Sequence, residues 1–133
     1  MFTRRQILLA ALSVPVVATL AWANVPDQAP LPAGVVADHV VVDKSERRLT
    51  LVRRGQVLKR YPVSFGASPE GHKELGVSPG GDIMVHGIRN GAAWAGKLQR
   101  LVNWTDGCIA LTNWEMAEVW RAVPNGTSIE IRP

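Results

Sequence analysis

Three β-rich segments in quick succession constrain the fold of this chain more than any other feature of it. Residues 35–42 carry a run of β-branched side chains and read as a buried first strand. Asp43-Lys44-Ser45-Glu46 makes a polar turn. Residues 48–53 then alternate, with Leu49 and Leu51 on one face and Thr50 and Val52 on the other. Arg53-Arg54-Gly55-Gln56 supplies a glycine turn, after which Val57, Lys59, Tyr61 and Val63 alternate with Leu58 and Arg60. Strand, turn, strand, turn, strand at this spacing is an antiparallel meander. Arg47, Arg48, Arg53 and Arg54 flank the turns and are expected to be solvated hairpin ends.

Beyond the meander the pattern breaks. Residues 64–82 have almost no apolar periodicity and hold Pro69, Pro79 and five glycines, which predicts loop. A structureless stretch of that length inside a compact domain points to function or to a missing element. Residues 82–86 form a short strand, with Ile83 and Val85 opposed to Met84 and His86, closed by Gly87. Over residues 91–104, Trp94, Leu98 and Leu101 have helical spacing, but Gly91 and Gly96 weaken a helix. The clearest helix start is Thr112-Asn113-Trp114-Glu115, a capping box with Thr112 as N-cap. Met116, Val119, Trp120 and Val123 follow as an apolar stripe, and Pro124-Asn125-Gly126 stops the helix. A last strand covers residues 128–132, with Ile129 and Ile131 expected inward.

The first 23 residues have a different character. Arg4 and Arg5 precede an apolar run that ends in Ala21-Trp22-Ala23, the build of a secretory signal cleaved after Ala23. The paired arginines suit a twin-arginine signal as well as an ordinary one. The apolar run is short for a membrane span and contains Pro15, so no stable membrane insertion is expected once the signal is removed. Residues 24–34, with Pro26, Pro30 and Pro32, read as an extended linker, leaving residues 35–133 as one domain. The leader's two arginines account for part of the basic excess; without them thirteen basic residues face eleven acidic ones, a net of +2. With no basic run interleaved with aromatics, that balance gives no case for a nucleic-acid partner. An exported domain, placed in the periplasm or cell envelope, is the expectation.

Export makes the single cysteine conspicuous. Cys108 has no internal partner for a disulfide, and an exposed thiol outside the cytoplasm is open to oxidation, so it calls for a reason. It sits behind Gly107, in a turn, just ahead of a helix. A glycine there lets the chain turn tightly, so that adjacent N–H groups converge on one oxygen. A thiol acts as thiolate and needs a base or a positive neighbour. Of the three histidines, His39 belongs to the first strand and His72 lies in the loop. His86 ends a strand at Gly87, where a side chain projects from the sheet rim, and 22 residues separate it from Cys108. Thr105 is placed to fix the histidine tautomer by a hydrogen bond, while Asp106, beside the cysteine in a tight turn, has a lesser part. One cysteine and three dispersed histidines show none of the spacings of a zinc site, so no metal is expected.

His86-Gly87 followed by Thr105-Asp106-Gly107-Cys108-Ile109-Ala110-Leu111-Thr112-Asn113 resembles the active-site signature of the L,D-transpeptidase catalytic domain (YkuD-like). The resemblance extends to Val40-Val41-Val42-Asp43-Lys44 with Leu49 and Leu51, and to Gly126-Thr127 with the final strand. It implies a mainly β fold, a β-sandwich with a helix following the active-site cysteine. It implies an L,D-transpeptidase acting on peptidoglycan stem peptides, with Cys108 as nucleophile, His86 as base and then acid, and the Gly107 and Cys108 amides as oxyanion hole. Gly87, Asp106 and Asn113 are the positions expected to meet substrate. No cofactor is implied.

Two departures accompany the resemblance. Ala110 stands where many members carry an arginine that meets a substrate carboxylate, which keeps hydrolysis of the same bond, as an L,D-carboxypeptidase, beside cross-linking. The chain also resembles a member with an internal deletion near Lys73, because the strands that usually precede the histidine are missing. A non-catalytic wall-binding domain is the corresponding alternative. A sortase needs an arginine shortly after the cysteine, whereas the first basic residue after Cys108 is Arg121.

Overall fold

The computed structural model describes residues 4–66 and 83–133. Along the chain the elements are α1 (Arg4–Ala23), β1 (His39–Asp43), β2 (Arg48–Arg53), β3 (Gln56–Pro62), β4 (Val85–His86), a 3-10 stretch (Ala93–Leu101), β5 (Ile109–Ala110), α2 (Asn113–Ala122) and β6 (Ser128–Arg132). Four strands form one sheet in the order β3-β2-β1-β6, and β4 and β5 form a second, parallel pair. The fold is mainly β, with α2 following the cysteine.

The meander forms as its alternation predicts, with β1, β2 and β3 antiparallel. Arg54 and Gly55 both take positive φ, 50° and 75°, the backbone a two-residue hairpin needs to match strand twist. The register slips between Leu51 and Val52, which pair with Lys59 and Val57 and leave Leu58 as the extra residue of a bulge. The first strand begins at His39, not at residue 35. The segment before it turns to the helix instead: the Ala37 N–H donates to the Ala122 carbonyl at 2.7 Å.

One face of this sheet carries the core. Val42, Leu49 and Tyr61 lie side by side across three strands and are all but fully buried, and Val40 and Leu51 make the next row. Val119 and Ala122 of α2 close over them, joined by Val63, Phe65, Ile109 and Leu111. Each such side chain contributes on the order of 1.5–3 kcal/mol by leaving water.

At its far edge β6 pairs in parallel with β1, placing Ile129 beside Val40 and Ile131 beside Val42. The two isoleucines share the core face but stay 52% and 43% exposed. The expectation that they point into the core fails: neither belongs to the buried cluster.

The capping box is present: Glu115 accepts from both the Thr112 N–H, at 3.1 Å, and the Thr112 hydroxyl, at 2.6 Å. Of the predicted stripe, Val119 is in the core and Met116 and Val123 pack against it, but Trp120 does not, and two carboxylates share the buried face. Glu115, Glu118, Val119 and Ala122 are buried, whereas Trp120 is 80% exposed. Two cations rotate the helix: Lys59 reaches Glu118 at 2.7 Å and Arg100 reaches Glu115 at 2.7 Å, which draws both carboxylates inward. Periodicity of apolar residues alone carries no signal for such pairs.

Residues 91–104 resolve into the 3-10 stretch, broken at Gly96, where φ is +48°. Trp94 and Leu101 are exposed, and the buried residues are Gly96, Lys97 and Gln99. The end of α1 packs here. Ala23 is fully buried, and a Cβ on Gly96 would stand 2.1 Å from the Ala23 carbonyl oxygen. Lys97 lies over the Trp22 ring at 4.3 Å and pairs with Asp27 at 2.6 Å. The proline-rich residues 24–34 are tied down further by Lys59 donating to the Ala29 carbonyl and Gln28 donating to that of Arg60. Among the described residues no helix is long and apolar enough to cross a membrane. His72 and the deletion expected near Lys73 lie outside the described residues, as does Asp82.

Candidate active site

The second sheet exists to bring two short segments together. β4 and β5 run parallel, with Val85 opposite Ile109 and His86 opposite Ala110. The Ile109 N–H donates to the Met84 carbonyl and the Leu111 N–H to that of His86, both at 2.9 Å. Cys108 is the residue before β5. Strand side chains alternate, so Cys108 shares the face of Ala110, which is the face of His86. A strand separation of about 4.8 Å and a two-residue step of about 6.6 Å put their Cα atoms about 8 Å apart, within joint reach of an imidazole and a thiol.

The imidazole is held on two sides. His86 Nδ1 lies 2.6 Å from the Gly87 carbonyl, which only accepts, so Nδ1 carries the proton and Nε2 of the neutral ring is the basic nitrogen. The Trp104 ring meets the imidazole edge-on, with centroids 5.6 Å apart and planes at 76°. Trp104 is itself fixed, its Nε1–H donating to Gln99 Oε1 at 2.8 Å.

The cysteine loop is held separately. Gly107 has φ of +97°, a conformation that side chains disfavour. The Thr105 hydroxyl donates to the Cys108 carbonyl at 2.6 Å. Thr105 therefore braces the Cys108 loop, and the tautomer role expected of it falls to the Gly87 carbonyl. Asn113 likewise has an internal partner: its Oδ1 accepts the Ile88 N–H at 2.8 Å and stands where a Cβ on Gly87 would be, 2.6 Å away. It latches the segment after His86 to the start of α2. Asp106 is exposed beside the loop.

The alternation Tyr61, Val63, Phe65 runs past the point where loop composition begins, and the backbone follows it. Ser64 bridges to Ala110, their backbones exchanging hydrogen bonds at 2.9 and 2.8 Å, and Gly66 bridges to Thr105. Gly66 comes so close that a Cβ there would stand 2.4 Å from the Thr105 carbonyl oxygen and 2.5 Å from the Gly107 nitrogen. Ser64 is fully buried and donates its hydroxyl to the Gln99 carbonyl at 3.0 Å. Sequence reasoning placed Ser64 and Gly66 in a loop and left Gln99 and Trp104 without a role. The continued alternation was the one signal for the first pair.

A thiol behind a glycine turn and an imidazole of fixed tautomer, on one face of neighbouring segments, are equipped for nucleophilic attack on a carbonyl. Among the described residues no cluster of histidine, cysteine and carboxylate side chains could hold a metal ion. A cavity of about 250 Å³ between residues 26–30 and α2, lined by Lys59, Trp114, Glu118 and Arg121, takes no residue from the cysteine loop. In sequence, the family model described as the L,D-transpeptidase catalytic domain matches residues 37–131. No curated protein matches the chain.

Proposed function

Given that this chain belongs to the L,D-transpeptidase catalytic domain family, we propose that it cleaves the bond before the terminal D-alanine of a peptidoglycan stem peptide and transfers the acyl group to a second stem. The single observation that carries this reading is the parallel β4–β5 pairing, which aims His86 and Cys108 from one face.

His86 Nε2 takes the Cys108 proton, and the thiolate attacks the scissile carbonyl carbon. The Gly107 and Cys108 amides face the developing oxyanion. Collapse breaks the C–N bond, the imidazolium returns its proton to the leaving amine, and a thioester remains. The acceptor amine then attacks the thioester, His86 removes its proton, and the Cys108 thiolate leaves. Water in place of the amine gives hydrolysis. Ala110, fully buried in β5, offers no charge to a substrate carboxylate and favours keeping hydrolysis as the second reading. The arginine pair and apolar run of the leader support placing the protein in the cell envelope.

The test is incubation of the full chain and its Cys108→Ala variant with disaccharide-tetrapeptide, read by mass. Cross-linked dimers that need Cys108 establish transfer, and tripeptide alone establishes hydrolysis. Absence of both from a protein with a cooperative melting transition refutes the enzyme and leaves a wall-binding domain.

A further inference from the structure

Arg47 closes the β1–β2 connection with φ of +51° and is half-buried; its carbonyl accepts the Val63 N–H at 2.9 Å. It is not the solvated hairpin end that the sequence suggests. Its Nη2 donates to Asn103 Oδ1 at 2.8 Å, and its Cζ lies 5.8 Å from the centroid of the Phe65 ring. Both neighbours adjoin the site. Phe65 lies between Ser64 and Gly66, which bridge to Ala110 and Thr105. Asn103 precedes Trp104, whose ring meets His86. Two independent tethers thus bring one guanidinium to the rim of the cysteine loop.

Among the described residues its charge is unmatched. The most sheltered cations have carboxylates: Lys59 has Glu118, Lys97 has Asp27, and Arg100 has Asp27 and Glu115, whereas Arg47 and the half-buried Lys44 have none. Among the described residues no carboxylate pairs with Arg47, whose two tethers are a neutral amide and an aromatic ring. A planar guanidinium has five donors, so one bond to Asn103 leaves a fork able to take a carboxylate. An arginine in a left-handed backbone is strained and persists where the surroundings impose it.

We propose that Arg47 binds a free carboxylate of the substrate, a few residues from the carbonyl that Cys108 attacks. This rests on the reading that the Cys108 site acts on stem peptides. Such peptides carry carboxylates along their length, and an extended peptide advances about 3.5 Å per residue. The ammonium of a lysine would meet the carboxylate as a point charge, without the fork.

The test compares a tetrapeptide stem with analogues in which each free carboxylate is singly converted to a carboxamide. Wild-type full chain, Arg47→Met and Arg47→Lys are assayed on all of them. For wild type, one amidation is expected to lower kcat/KM by about ten- to hundredfold, the scale of a charge-assisted hydrogen bond. In Arg47→Met that acid-to-amide ratio falls towards one, and Arg47→Lys keeps an intermediate ratio. Loss of kcat/KM in equal proportion on every peptide would make Arg47 a brace for the loop and overturn the proposal. So would a wild-type enzyme indifferent to every amidation. Should Arg47→Met melt without a transition, the ratio in Arg47→Lys decides. Absence of Cys108-dependent turnover on any peptide defeats the underlying reading, and this proposal with it.

Discussion

The Trp104 ring stands edge-on to the His86 imidazole, 5.6 Å between centroids and 76° between planes. The contact is the last link of a chain in which Ser64 donates to the Gln99 backbone and the Gln99 side chain accepts from Trp104. The imidazole is therefore flanked by a residue four positions before Cys108. Trp104→Ala should lower kcat by about ten- to hundredfold with little change in KM, because orientation is lost while substrate contacts persist. Trp104→Phe keeps an edge and loses the tie to Gln99, and should fall between. Steady-state kinetics of the three proteins check this.

Gly87 and Asn113 form a coupled pair. A methyl on Gly87 would displace Asn113 Oδ1 and free the Ile88 N–H, which is also what Asn113→Ala does. Either substitution should cost about 1–2 kcal/mol in thermal stability, and the double variant little more than one alone. Additive losses in a melting series would show that the two act separately.

Gly66→Ala should be harsher. Its Cβ meets backbone, not a side chain that can swing away, so either the loop holding Cys108 or the segment after β3 must shift. The expected cost is about 1–3 kcal/mol, a fall in Tm of several degrees or more. Alkylation of Cys108 by iodoacetamide should change in rate in the same variant.

Much of this fold is written in the sequence. The meander follows from strict alternation, and the α2 start from Thr112 and Glu115, because short-range hydrogen bonding decides both. The Gly107-Cys108 turn and the strand-terminal His86 are likewise local features. What sequence pattern missed is all long-range pairing. Nothing near Glu118 announces Lys59, and nothing near Trp104 announces His86. Ile129 and Ile131 alternate as an inward face should, but whether a face is covered depends on what packs against it. Ser64 and Gly66 went unread because loop composition downstream outweighed three alternating apolar residues.

Stability should show an acid limb. Burial raises the Glu118 carboxyl pKa, but the Leu31 N–H and the Lys59 ammonium outweigh it and hold the group below its usual range. A carboxyl depressed in the folded state stabilises above its unfolded pKa, and that contribution is lost as pH falls through the folded one. Stability measured by chemical denaturation should therefore fall progressively below about pH 4.5, and Glu118→Gln should flatten that part of the profile. Glu118→Ala, which strands Lys59 in a largely dry site, should cost about 3 kcal/mol at neutral pH.

Ala23 has no exposed surface, and its carbonyl fills the space that Gly96 leaves open. The bond expected to be cut by a signal peptidase thus packs against the 3-10 stretch, held on either side by Trp22 on Lys97 and by the Asn24 side chain on the Trp94 carbonyl. If the first 23 residues are removed as a signal, their removal becomes a matter of timing. A peptidase acting on a chain threaded in an unfolded state meets an open bond. A chain exported already folded must first peel residues 22–27 off the 3-10 stretch, so the Lys97–Asp27 and Arg100–Asp27 pairs would act as a clock on release of the leader.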